Sequence, residues 1–146
     1  MIPVNDRRPT NQAQEVIKNF IQAINEQNIS QLVSYLSEDH VFTNSSDKKI
    51  MGKELVIRAW MKYFELFPNY NIKVEHIMIN ETDLGVFGNS SGTYKNLEGD
   101  QNRWELPSAW KVKIADGQIK EWQVYTDNMV PYEIIRRNAL HNLSSY

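Results

Sequence analysis

The sequence contains no cysteine, which excludes thiol nucleophiles, disulfides and thiolate metal sites. It has no apolar run approaching the roughly 20 residues that a membrane span requires. Its first residues, Met-Ile-Pro-Val-Asn-Asp-Arg-Arg-Pro, hold no apolar stretch of signal-peptide length. A soluble, cytoplasmic protein without a membrane partner is expected. An excess of positive charge is missing as well: 16 Lys and Arg stand against 18 Asp and Glu, a net charge of -2, and the basic residues are scattered rather than striped. That argues against nucleic acid as a partner. Histidine is scarce, with three residues at no ligand spacing, so neither a metal nor any other cofactor is expected.

What is present is enough for one domain over residues 1–146: a chain of this length buries roughly two thirds of its unfolded surface. Residues 1 to about 10 form a polar lead, and the tail from about residue 139 is expected to fray. Asn11 with Gln14 resembles a capping box, and Val16, Ile17, Phe20, Ile21 and Ile24 then form the apolar stripe of a helix to about Glu26. Asn28 and Gln31 repeat the cap before a shorter helix carried by Ile29, Leu32, Val33 and Leu36. His40 to Asn44 reads as a first strand, followed by a loop to Gly52. Leu55, Val56, Ala59, Trp60, Tyr63, Phe64 and Phe67 mark a third helix, stopped by Pro68-Asn69.

The second half alternates with a period of two. Four long strands are expected, over Asn71–Asn80, Leu84 to about Lys95, from about Asn102 to Ile114, and Gly117–Asp127, with Asp116-Gly117 as the hairpin turn between the last two. Pro107 suggests a bulge or an edge. Pro131 opens a short closing helix. Helices followed by a strand meander make an α+β domain of two packed layers, and a long curled sheet incompletely covered by three helices leaves a pocket.

The residues Ser37-Glu-Asp-His-Val-Phe42, Met51-Gly-Lys-Glu54, Phe67-Pro-Asn69, Glu105-Leu-Pro-Ser-Ala-Trp110, Asp116-Gly-Gln-Ile119 and Val124-Tyr-Thr-Asp127 together, in this order and spacing, carry a resemblance. The chain resembles the SnoaL-like polyketide cyclase branch of the nuclear-transport-factor-like superfamily, which also includes ketosteroid isomerase, scytalone dehydratase and limonene-epoxide hydrolase. The resemblance implies a cone-shaped, curved antiparallel sheet wrapped around three N-terminal helices, with a short C-terminal helix. It also implies an acidic residue near the end of the last strand that points into the cone as acid or base, a place that Asp127 matches. Where some cyclases carry His or Gln on the penultimate strand, this chain has Trp104, Leu106, Ser108 and Trp110.

Proton chemistry on a ketone or polyketide needs one group to take a proton and another to stabilise the oxyanion. Asp127 is the expected acid or base, with His76 and Tyr63 as catalytic partners and Tyr35 or Tyr125 as further hydroxyl donors. Phe42, Asn44, Trp60, Met78, Asn89, Trp104, Trp110 and Tyr125 are expected to contact a small apolar or aromatic molecule. Each assignment has a plainer counterpart. Asp127 equally suits a cap on the following turn, His76 a hydrogen-bonded wall position, and Trp60 and Tyr63 simple core packing. A non-catalytic module of the same fold, holding an apolar ligand in the cavity or a protein on the outer sheet, therefore stands beside the enzyme as an alternative. Trp122 and Val124, on the side of their strand opposite Asp127, are expected to face outward and form a homodimer surface.

Overall fold

The computed structural model describes residues 3–81 and 83–144, with side chains over 12–81 and 83–140. Helix α1 (Pro3–Glu26) leads to α2 (Ile29–Tyr35), β1 (Leu36–Thr43), β2 (Lys49–Met51), α3 (Lys53–Leu66), β3 (Asn71–Asn80), β4 (Asp83–Thr93), β5 (Arg103–Ala115), β6 (Gln118–Tyr125) and α4 (Met129–Ser144). Helix α1 begins at Pro3, well before the Asn11 cap, and α4 is longer than the sequence suggests. The short strand β2 lies where a loop was expected, paired with β1.

The six strands run in the order β2-β1-β6-β5-β4-β3, an open, curved sheet. Strands β3 to β6 form the expected antiparallel meander, but β1 lies parallel to β6, so the sheet is mixed rather than purely antiparallel. Asp116 and Gly117 both adopt positive φ, 54° and 74°, the twist that a tight hairpin between β5 and β6 requires. Pro107 sits in an interior strand, yet β5 pairs with β6 only from Ala109 onward, so Pro107 is bordered by β4 alone.

The apolar stripe of α1 is buried as its spacing predicts: Ile17, Phe20 and Ile24 are fully enclosed, and Val56, Trp60 and Phe64 of α3 join them against the concave face of the sheet. Asn25 ties helix to sheet, donating to the Ile72 carbonyl at 2.9 Å and accepting from the Ile72 N–H at 2.7 Å. Asn28 caps α2 as expected, its side chain accepting from the Gln31 N–H.

Two strands present faces other than those expected. On β6, Trp122 is fully buried, whereas Tyr125 is half exposed and Asp127, just beyond the strand, is exposed. The concave face carries Trp122, Val124 and Thr126, the side richer in apolar groups, and the opposite side carries Glu121, Gln123 and Tyr125. Trp122 and Val124 therefore form no outer dimer surface. On β3 a bulge between Val74 and His76 shifts the alternation, so that Ile77 and Ile79 pack on the core while His76 and Met78 turn to solvent. Gly88 lies opposite this bulge, and a methyl group there would collide with the Lys73 carbonyl oxygen.

Candidate functional site

The concave face can be followed row by row. Leu84, Val112 and Trp122 lie side by side across β4, β5 and β6, and the next row is Val86, Trp110 and Val124. The third row shrinks to Gly88 and Ser108, with Thr126 hydrogen-bonded beside them, and beyond it come Ser90 with Leu106 and then Gly92 with Trp104. Gly92 leaves room for the Trp104 ring, which stands 3.2 Å from where a Cβ at that position would lie. Beside these rows, α3 and α4 stand off the sheet. A cavity of about 320 Å³ results, within the range of ligand pockets.

Its walls are Phe42 and Val124 from the sheet, Val56, Ala59, Trp60 and Tyr63 from α3, and Pro131, Tyr132 and Ile135 from α4. Tyr70, Ser90, Trp104 and Thr126 line it from the sheet side, and Asn44, Ser45 and Asn128 lie at the polar rim. Of the expected site residues, the fold thus brings Phe42, Asn44, Trp60, Tyr63 and Trp104 together. It does not bring the others. His76 and Met78 lie on the solvent side of β3, beyond the bulge. Asn89 is one residue out of phase and donates to Glu75 at 2.9 Å on the outer side. Trp110 is buried against Trp122, with ring centroids 6.0 Å apart, and Tyr125 faces outward. Tyr35 packs on the core away from the cavity lining.

Asp127 does not line the cavity. Its carboxylate accepts a hydrogen bond from the Met129 N–H at 3.1 Å, an Asx turn that starts α4. His40 is fully buried in β1, where its Nδ1–H donates to the Ile119 carbonyl at 2.7 Å. Burial pushes this imidazole below its ordinary range, although the carbonyl, Asp39 and Glu121 oppose the shift. It lies off the cavity.

Among the described residues, no carboxylate, imidazole, ammonium or guanidinium group lines the cavity. Its polar groups are hydroxyls, amides and indoles. Burial raises the phenol of Tyr63 well above its usual range and raises that of Tyr70 too, partly opposed by the Ser90 hydroxyl. Both phenols therefore stay neutral at physiological pH and act as donors rather than bases. Ser90 and Ser108 share a 2.7 Å hydrogen bond, Ser108 reaches Thr126 at 3.0 Å, and Thr126 donates to the Pro107 carbonyl at 3.1 Å. This hydroxyl ladder, Tyr70 and Asn128 were not among the residues expected at the site. Period-two phasing on Leu84 and Val86 would have placed Ser90 inward, and the apolar side of β6 would have placed Thr126 inward.

Residues 17–122 match the family model of the SnoaL-like domain. Among solved structures, the chain is similar to a protein assigned as a SnoaL-like polyketide cyclase from Shewanella denitrificans OS-217, with 18% identity, a TM-score of 0.72 and coverage of 86% of this chain and 97% of that one. It is similar to an LEH-like epoxide hydrolase of M. tuberculosis, with 15% identity, a TM-score of 0.72 and coverage of 93% and 98%. A hypothetical protein with a ketosteroid isomerase-like fold from Catenulispora acidiphila DSM 44928, in complex with trimethylamine, matches at 13% identity and a TM-score of 0.68 over 76% and 84%. At these identities the likeness shows the fold alone. No curated protein sequence matches the chain. No helix among the described residues is long and apolar enough to cross a membrane.

Proposed function

Because the chain belongs to the SnoaL-like domain family, we propose that its cavity holds a small, largely apolar ring compound bearing oxygen, and that it does so as a binding site without acid/base catalysis by Asp127. The observation that carries this reading is the lining itself: aromatic and aliphatic walls, a few hydroxyl and amide groups and, among the described residues, no carboxylate or imidazole to exchange a proton near neutral pH. Affinity then comes from the walls. Each buried CH₂ contributes about 0.8 kcal/mol, so even one ring outweighs a neutral hydrogen bond of roughly 1 kcal/mol. The polar groups supply orientation. A cytoplasmic location belongs to the same proposal.

Calorimetric titration with tetralin and with its oxygenated relative 1-tetralone tests the reading. The expected result is saturable one-to-one binding that weakens by about tenfold or more in Val124→Phe, whose ring grows into the hollow. Failure of both compounds to bind, or unchanged affinity in Val124→Phe, would remove the pocket from the proposal.

A further inference from the structure

We propose, resting on the pocket reading above, that α4 is a gate, moving between the position described, in which it walls the cavity, and a second one that closes a neighbouring cleft and opens the cavity. Each flank of the helix borders a hollow. Pro131, Tyr132 and Ile135 wall the cavity. Met129, Val130, Glu133, Ile134 and Arg137 line an open cleft of about 420 Å³, whose far wall is Asp100, Gln101 and Arg103 at the entrance to β5. With space on both sides, the helix is held at few points. Of its described side chains only Pro131 and Ile134 are buried, whereas α3 buries Val56, Trp60 and Phe64. Among the described residues no ion pair joins α4 to the rest of the protein. Its other ties are polar. Asn138 donates to the Asn102 side chain at 3.0 Å, the Arg137 guanidinium to the Gln101 carbonyl and, where the chain enters the helix, Asn128 to the Ser46 hydroxyl at 2.8 Å. An element with so little buried apolar surface opens at a lower cost than the whole fold.

The cleft carries the charges that the second position uses. Asp100 and Arg103 belong to its domain wall, Glu133 and Arg137 to its helix wall, one charge of each sign on either side. In the position described no ion pair crosses the cleft, and Glu133 instead pairs with Arg136 of its own helix at 3.5 Å. Rotation of α4 about Asp127 and Asn128 brings the walls together, exchanges that pair for pairs across the cleft, and withdraws Tyr132 and Ile135 from the cavity. Exposed pairs of this kind contribute little each, so they bias the two positions without locking either. Passage of a ligand then follows the motion of the helix, as it does under the lids of many enzymes.

The experiment has two arms on the intact protein. Hydrogen exchange read by mass spectrometry should show the amides of residues 129–140 exchanging at least about tenfold faster than those of α3. A tether then tests passage. The chain has no cysteine, so Asn102→Cys with Asn138→Cys introduces its only two, at side chains already in contact. Stopped-flow tryptophan fluorescence with 1-tetralone should show the oxidised protein binding and releasing the compound about tenfold more slowly than the reduced one, with α4 exchange slowed in parallel. Arg103→Gln and Glu133→Gln, which remove charges from the closing pairs, should each slow entry by about twofold to threefold. Exchange in α4 as slow as in α3, or equal entry rates in oxidised and reduced protein, would overturn the gate and leave the pocket reading standing. Should the disulfide not form, unchanged entry in both charge variants does the same. If 1-tetralone does not bind at all, the pocket reading falls, and the exchange comparison alone decides whether α4 opens.

Discussion

Near the hairpin that joins β5 to β6, the concave row of Leu84, Val112 and Trp122 is met by Phe20 of α1, whose ring centroid is 5.0 Å from that of Trp122; toward the other end of the same strands, Ser90, Val124 and Thr126 border the cavity. Both halves are rich in aromatic residues. They differ in the size of what the strands project inward, since tryptophan and leucine complete a solid at one end, and serine, valine and threonine border a chamber at the other. The hollow is thus a property of side-chain volume on three neighbouring strands, and the helices keep their stripes buried throughout.

Enlarging one valine in each half probes this difference most strongly. Val112→Phe, in the solid half, should destabilise the protein by about 1–3 kcal/mol in urea unfolding, because the added ring has no room. Val124→Phe should cost clearly less, its ring entering the chamber. Equal losses would show the two halves to be packed alike.

A smaller effect separates the halves by pH. His40, on the strand beside the solid half, has its imidazole pKa depressed by burial, so the unfolded chain takes up the proton first as pH falls. Its contribution is fully present above about pH 6.5 and is lost below it, with a slope of at most about 1.4 kcal/mol per pH unit for one proton. Unfolding free energy followed from pH 8 to pH 5 should fall in this window, and His40→Asn should flatten the fall. Ligand affinity over the same window should stay level, because no carboxylate or imidazole lines the chamber among the described residues.

The smallest effect belongs to Asp127→Ala. Removing the carboxylate that receives the Met129 N–H should cost about 1 kcal/mol or less and leave ligand affinity unchanged. A loss of binding in a stably folded Asp127→Ala protein would return this residue to the site.

Most of the architecture is legible in the chain because its elements announce themselves: the α1 stripe, the Asn28 cap, the Asp116-Gly117 turn and the long alternating strands all appear where their spacing puts them. The short β2 was not legible, since three residues of hairpin return carry too little pattern. At the site the outcome turned on phase. On β5 the alternation is unambiguous, and Trp104, Ser108 and Trp110 are buried together. On β6 a carboxylate drew attention to the polar side, although Trp122 and Val124 already marked the other side as the one that must leave water. On β3 no count could anticipate the bulge, which exchanges His76 for Ile77 on the core side through a single extra residue.

The parallel seam between β1 and β6 joins segments some eighty positions apart, as in the bond from His40 to the Ile119 carbonyl. Closing so long a loop is entropically slow, and it cannot begin until β6 has left the ribosome. The chamber floor at Val124 and Thr126 arrives with that same late segment. Assembly of the binding surface and completion of the fold are therefore one kinetic event, and a nascent chain halted before β6 has neither.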